Sequence, residues 1–476
     1  MPSNDRPPVG APRSRRSFMQ TRAARVLAGL GLATLAVVVV ALVAVWRLGG
    51  GPVVREFLLT GEVRELEPAR FQSAPLRTAQ GGRDLVYLLS TQSETVTSRS
   101  RRGSGSRRRE YLHVDLWAVD PIAVQVAWRR RVHSFSGRDR LGRDLRAFTI
   151  LGADGDVLWL GVDGPRGVAL ADGHDIADGA LLDRHNPHFA GRRVDEPGFI
   201  AFGRHGLQLT LDDASQWRVD AATLQAAPRD TPLPDPTRVT PPAMTGHGSA
   251  AAFRLRGARI GDRWLGVLTD READFYRRPP VVPGRGPDEQ AGVMFDHLES
   301  QHVPSRLVET EAVPYRLWSA RVTEVSAAPR GWPAHMPDNW GTRPRYSDYA
   351  VLPDAPAFLR AGLLREHPLA EHPLWYRAPD SILVIHVDRL GAAGRLQLSR
   401  IAGPSGTPVW QAPLPFDRLD AVLRGDRDLV LLGTVPPAPG ATPGPDAGPA
   451  HPALAGIDIA SGRTRVLDLV AESLRR

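Results

Sequence analysis

The sequence predicts an all-β protein made of repeated small sheets, preceded by one hydrophobic N-terminal helix. A hairpin pattern recurs along the chain, and Gly (46) and Pro (43) together approach a fifth of the 476 residues. That composition suits many short strands joined by turns. The third observation is an uncharged run near the start, Val26 to Trp46.

That run has 21 residues. As a helix rising about 1.5 Å per residue it spans roughly 30 Å of hydrocarbon. It exceeds a signal-peptide core and lacks a small-x-small site at Leu42-Val43-Ala44, so the expectation is a retained anchor over 26–46. Residues 1–25 hold six Arg and one Asp. The positive-inside rule makes them a basic cytoplasmic tail. The expected location is the cytoplasmic (inner) membrane, with residues 53–476 periplasmic.

The hairpin "LWAVDPIAVQVAW" (Leu116 to Trp128) aligns with "QWRVDAATLQAAP", "LSRIAGPSGTPVW" and "LAGIDIASGRTRV". Asp120, Asp220, Ala402 and Asp458 share one column; Trp128, Pro228, Trp410 and Val466 stand eight residues on. Trp-x-Val-Asp recurs at 117–120 and 217–220, and "WLGV" at 159–162 and 264–267. An Asp bonds its own backbone two residues on, and Ser/Thr-Gly supplies a positive φ, so Asp-x-x-Ser/Thr-Gly reverses a strand tightly. The Trp then offers a large apolar face to a neighbouring sheet. The structural repeat positions are thus Asp120, Trp128, Asp220, Trp410 and Asp458.

Further strand runs open at Asp84, Asp156, Phe199, Asp262, Tyr315, Ser381 and Asp428. Small sheets that cannot bury both faces alone must stack. About seven of them, with six to eight allowed, would close a β-propeller over 53–476. Pro- and Gly-rich stretches predict loop insertions near 97–110, 228–245, 277–289, 331–378 and 435–452, with a short helix over Ala355–His367.

Leu116–Trp128, Leu398–Trp410 and Ala455–Val466 resemble the repeat of quinoprotein-like (PQQ-type) β-propellers, whose blades end in Tyr-Ala-Leu-Asp, Thr-Gly and Trp. The arrangement as a whole resembles uncharacterised membrane-anchored proteobacterial propeller proteins. The resemblance implies two precedents. Quinoprotein dehydrogenases hold PQQ and Ca²⁺ at the propeller axis under an adjacent-cysteine disulfide. This chain has no Cys, and their catalytic aspartate and calcium ligands map onto no motif here. The other precedent is the repeat-bearing lipoprotein of outer-membrane protein assembly, a scaffold acylated on a cysteine; here a transmembrane helix would replace that anchor.

The net charge of +8 divides into +5 for residues 1–25, +6 for the Arg run 97–109 and therefore −3 elsewhere. A body of that charge offers no general basic face to phosphates, so nucleic acid is not an expected partner. The absence of Cys excludes disulfides, thiolate zinc sites, iron–sulfur clusters and cysteine nucleophiles. His174, Asp175, His185 and His188 form the densest metal-capable stretch, but their spacing matches neither the calcium loop nor the two-His zinc helix. Turn-forming Asp and solvated His account for it better. The tandem Glu-His-Pro-Leu at 366–374 carries prolines that disrupt a zinc helix. Arg101, Arg102, Arg107, Arg108 and Arg109 are candidates to contact an acidic partner or lipid headgroups, against the plainer reading of a solvated loop.

No catalytic motif, cofactor site or metal site is assigned. The expected function is a membrane-anchored propeller scaffold, held through residues 26–46, that binds an unidentified protein or envelope component on the non-cytoplasmic side. The alternative is an envelope enzyme, a hydrolase or quinoprotein-related oxidoreductase, with a site at the propeller axis.

Overall fold

The structure, a computed structural model, describes residues 62–71, 73–99, 106–136, 148–196, 198–203, 206–230, 238–239, 257–270, 314–325, 343–358, 374–389, 394–403, 405–436 and 450–475. The chain divides into two compact units, residues 1–66 with 94–111, and residues 67–93 with 112–476. In the first unit, β1 (Glu62–Leu66) runs antiparallel to the far part of β4 (Leu85–Arg99), with Glu62 opposite Ser98 and Leu66 opposite Glu94. The next strand is β5 (Ser106–Asp120). Strand therefore covers 97–99 and 106–110 of the expected loop, where Thr95, Val96 and Thr97 favour extended backbone.

The second unit carries the rest of that first sheet. There β2 (Arg70–Phe71) and β3 (Leu76–Thr78) pair with β4, and β6 (Gln125–Ser136) lies beside β5. The second sheet holds β7 (Thr149–Asp154), β8 (Val157–Gly161), β9 (Pro165–Ala169) and β10 (Asp175–Ala177). Helix α1 (Gly179–His185) leads to the third sheet, β11 (Ile200–Gly203), β12 (Gly206–Thr210), β13 (Gln216–Val219) and β14 (Ala226–Pro228). A two-residue strand, β15 (Arg238–Val239), returns to pair with β7.

The fourth sheet is β16 (Gly257–Ile260), β17 (Arg263–Leu268), β18 (Arg316–Val325) and β19 (Arg343–Val351). The fifth is β20 (Leu374–Arg377), β21 (Ser381–Val387), β22 (Leu396–Ala402) and β23 (Pro408–Pro413). The sixth is β24 (Arg418–Arg424), β25 (Asp428–Val435), β26 (His451–Asp458) and β27 (Thr464–Asp468), followed by helix α2 (Leu469–Leu474).

All six sheets are open and antiparallel, and each contains a four-strand meander in chain order. The second strand is a nearly continuous apolar run, because it is covered on both faces. "SILVIHV" of β21 is buried at six of seven positions, whereas edge strand β23 has no buried residue.

Six sheets, rather than about seven, occupy the described residues for a clear reason. The runs at 262–268 and 315–325 were expected to open separate sheets, but β17 and β18 pair directly, Arg263 opposite Arg321 and Leu268 opposite Arg316. The long segment between them connects neighbouring strands of one sheet. The expected helix over Ala355–His367 starts instead as an extended bridge. Phe358 exchanges backbone hydrogen bonds of 2.7 and 2.8 Å with Tyr315, and residues 359–367 lie outside the described residues. Strands β15, β19 and β20 fall inside the stretches expected as loops near 228–245 and 331–378. The 277–289 stretch lies outside the described residues.

Among the described residues no helix is long and apolar enough to cross a membrane. The expected single-pass inner-membrane location, with N-terminus inside and body periplasmic, is therefore corrected. Helices α1 and α2 have seven and six residues, where a crossing takes about 20. Residues 1–25 and 26–46 lie outside the described residues.

Apolar side chains of neighbouring sheets make the cores. Leu116 and Tyr87 of the first sheet pack with Leu158 and Leu160 of the second. Trp159 of the second packs with Leu207 and Leu209 of the third. Leu265 and Leu317 of the fourth meet Ile382 and Val384 of the fifth, and Leu383 and Leu398 of the fifth meet Leu429 and Ala455 of the sixth. The sixth sheet then packs on the first, Val430 and Leu454 against Val86 and Trp117.

Candidate functional site

The recurrent hairpin is real, and among the described residues it lies at the same place in five of the six sheets, between the third and fourth strands. Residue i of the turn accepts a backbone hydrogen bond from residue i+4, whose φ is positive. The bonds are Val124 to Asp120, Gly173 to Ala169, Leu224 to Asp220, Gly406 to Ala402 and Gly462 to Asp458, all 2.8 or 2.9 Å. The φ values of the five donors run from 55° to 74°. Glycine adopts that conformation freely; Val124 and Leu224 do so at a steric cost.

The three Asp residues brace their turns as expected. Asp120 Oδ1 accepts from the backbone N–H of Ile122 and Ala123 at 2.9 and 2.8 Å. Asp220 Oδ1 accepts from Thr223 N–H and Oγ1–H, each at 2.8 Å. Asp458 Oδ1 accepts from Ser461 Oγ–H and N–H at 2.5 and 2.7 Å. The Ser461 hydroxyl and backbone N–H hold the Asp458 carboxyl below the usual carboxylate range. The turn at Ala169–Gly173 is a member that the alignment missed; like Ala402, Ala169 stands where the other three carry Asp. Its detectable signal was the glycine four residues on.

At five described seams the preceding sheet rests on this turn or on the strands beside it. Trp128 of β6 lies on Gly173, where an added Cβ would come within 2.7 Å of the indole. Trp410 of β23 covers Gly462 just as closely and donates from Nε1 to Ile459 O at 3.1 Å. Leu352, just after β19, covers Gly406. Asn186, after α1, donates to Leu224 O at 2.8 Å and accepts from Ala226 N–H at 2.6 Å. Arg465 of β27 donates to Ile122 O at 2.9 Å, while Gly456 leaves room for Val124. Asp120, Asp220 and Asp458 thus share one position within their turns, and Trp128 and Trp410 share another against the next sheet's glycine.

Buried charge braces the first sheet and its contacts with the sixth. Arg77 on β3 donates to both carboxylate oxygens of Asp428 at 2.9 and 2.8 Å, and to Asp84 at 3.0 and 2.5 Å. Burial alone would lower the Arg77 pKa, but the two carboxylates outweigh it and hold it above the ordinary value. Asp115, 2 % exposed, accepts from Arg129 and Arg131. The Arg129 guanidinium lies 4.3 Å from the Trp117 ring centroid and donates to Ser473 O of α2 at 3.1 Å. Ser473 Oγ accepts from Ala69 N–H at 3.3 Å, so α2 is fastened to the first sheet.

One pair has the polar layout of a nucleophile and base. His386 Nδ1–H donates to Val387 O at 3.1 Å, leaving Nε2 to accept from Ser399 Oγ–H at 2.9 Å. Burial pushes the His386 pKa down. With His386 4 % exposed and Ser399 1 % exposed, the pair is sealed from any substrate and acts as a satisfied core contact. Neither residue stood out in the sequence, since both sit within ordinary strand runs.

The metal-capable stretch is dispersed. His174 Nδ1 bonds Asp172 at 2.7 Å, and Asp175 faces Arg166 at 3.5 Å. Asp178 caps α1 through Leu181 N–H at 2.7 Å, and Asp183 binds Arg193. His185 ends α1, and His188 packs against Trp217. Among the described residues no three His, Asp or Glu side chains converge to hold a metal ion. Of the Arg run, Arg101 and Arg102 lie outside the described residues, Arg107 is in β5, Arg108 pairs with Glu110 at 3.2 Å, and Arg109 is exposed.

No family model and no curated protein matches the chain. Among solved structures, acylaminoacyl peptidase of Pyrococcus horikoshii aligns with 85% of this chain and 54% of its own at 10% identity, with a TM-score of 0.16. The tricorn protease aligns with 84% of this chain and 44% of its own at 10% identity, with a TM-score of 0.13. The chain spans about half the length of those structures, and likenesses so slight carry no argument about fold or activity.

Proposed function

We propose that the second unit is a six-bladed β-propeller with PQQ-type repeats, and that it works as a binding scaffold for another protein. The propeller reading is supported by the repeated turn, by the docking of five of the six sheets beside the next one's turn, and by the packing of the sixth sheet on the first. The scaffold reading rests on one observation. Ile122, 68 % exposed, and Val466, 50 % exposed, flank the Arg465-to-Ile122 hydrogen bond where the sixth sheet meets the first. Large apolar side chains held out on a braced turn and an edge strand suit contact with another protein's surface. Arg77 and Arg129, meanwhile, already serve contacts inside the unit.

The test compares affinity capture by the native chain and by the I122E/V466E variant, both shown to unfold at the same temperature. The expected result is a stoichiometric partner on the native chain that is lost from the variant. Identical recoveries from both baits would sink the reading.

A further inference from the structure

A strand that ends a sheet offers a row of unpaired N–H and C=O groups, and folded proteins blunt such edges with short strands or proline. Most fourth strands here follow that practice. Strands β10 and β14 have three residues each and β27 has five, while β19 contains Pro344 and β23 begins and ends with proline. Strand β6 is the exception. It runs for 12 residues, QVAWRRRVHSFS, without Pro, Gly or an acidic side chain, and it stands last in the first sheet, beside β5 alone.

The arginines at 129–131 straddle this edge, because successive side chains of a strand alternate between faces. Arg129 and Arg131 share the face of Asp115, to which both donate. Arg130 is on the opposite face with Trp128, which lies on Gly173. Their bonding capacity is only partly used. Arg130 is exposed and, among the described residues, makes no hydrogen bond or ion pair. The nearby Asp172 is already bonded by His174, through its N–H and Nδ1 at 3.0 and 2.7 Å. The Arg131 side chain is 45 % exposed and meets Asp115 through Nε, so both of its terminal nitrogens are left for another acceptor. Two copies of β6 paired antiparallel would set arginine against arginine, and like charges directly opposite are destabilising. The edge is thus guarded against its own kind and open to the opposite charge.

We propose that the outer edge of β6 over Gln125–Val132 takes up an extended acidic peptide as an added strand, and that this peptide carries two consecutive Asp or Glu residues. Main-chain pairing supplies the ladder, and side chains on alternate faces supply the choice of sequence. Consecutive residues of the added strand fall on opposite faces, so one carboxylate meets Arg130 and the next meets Arg131. The inference extends the scaffold reading to a second surface, which shares no residue with the rim at Ile122 and Val466.

The experiment uses the full chain and the fluorescein-labelled peptide Ser-Thr-Ile-Thr-Glu-Glu-Thr-Val-Thr-Ser, read by anisotropy. Binding is expected to be about ten-fold tighter than for the same peptide with Gln-Gln at its centre. A peptide of equal charge with its two Glu separated by Thr should bind more weakly, since both acids then fall on one face. One with proline at alternate positions should not bind. R130E should weaken binding of the Glu-Glu peptide about ten-fold and R130Q less, and bound peptide should slow amide exchange over 125–132. Absence of binding, equal binding of the proline peptide, or an R130E chain that binds as the native does would each overturn the proposal. So would self-association of the native chain through β6. The I122E/V466E change should leave peptide binding untouched, so failure of the rim surface and failure of this edge are told apart.

Discussion

Between the fifth and sixth sheets, Trp410 lies on Gly462 and donates to Ile459 O; between the sixth and the first, Arg77 grips Asp428 across 351 residues of chain. The first seam joins neighbours in sequence. Their linker already holds them close, and the contact is completed by the indole on the turn and by Arg400, which donates to Ile459 O and Ala460 O at 3.2 Å. The second joins the ends of the unit, where only packing and directional bonds oppose the entropy of closing a long loop. There the chain uses a bidentate Arg–carboxylate pair, which fixes register as well as distance. Helix α2 adds Ser473, whose Oγ accepts from Ala69 N–H and whose carbonyl accepts from Arg129 of the first sheet. Sequence distance, more than local geometry, separates a seam across which an arginine meets only backbone carbonyls from one where it grips a carboxylate.

The sharpest way to break this contrast is D428A. It leaves a mostly buried guanidinium with one of its two carboxylates, a loss of about 3–5 kcal/mol. The expected result is a lower urea midpoint together with early hydrogen exchange of β3 and β24–β25. The double change R77M/D428L should recover part of the loss. If D428A unfolds like the native chain, the charged seam is not a closure device.

W410A tests the packing seam. Removing the indole should cost about 3 kcal/mol in chemical unfolding, and the exchange should appear in the fifth and sixth sheets. G462A is smaller, about 2 kcal/mol, since the added Cβ meets both a positive φ and the Trp410 ring. An unfolding midpoint unchanged by G462A would show that the turn relaxes and that Trp410 does not depend on it.

The pH dependence sharpens the comparison from within the fifth sheet. Burial holds the His386 pKa below the ordinary histidine value, so the unfolded chain binds this proton more tightly. Its contribution is present above the unfolded pKa, near 6.5, and is lost as pH falls from there through the folded value. Stability measured from pH 7.5 down to 5 should decline, and H386Q should flatten that decline. The smallest effect expected is that of D458A, about 1 kcal/mol, read from the thermal midpoint, because the turn keeps its backbone bond and its glycine.

How much of this was legible can be judged residue by residue. Asp120, Asp220 and Asp458 declared their turns through side-chain chemistry that acts within four residues, and the structure keeps all three. Ala169–Gly173 forms the same turn without the Asp and escaped notice. The pairing of β17 with β18 was hidden by the long connection between them, which read as a boundary. Nothing in the isolated strings marked Arg77 and Asp428, or His386 and Ser399, as partners.

The sequence by itself determined that the chain is all-β, where most second strands lie, and where the turns reverse, since alternation, β-branching and Asx hydrogen bonding are short-range effects. Only the tertiary structure decided that the described residues make six sheets, that Trp128 and Trp410 rest on the next sheet's glycine, and that β15 fills the edge of β7. These depend on which distant segments meet, and the energies that choose among such meetings belong to surfaces that exist only once the sheets have packed.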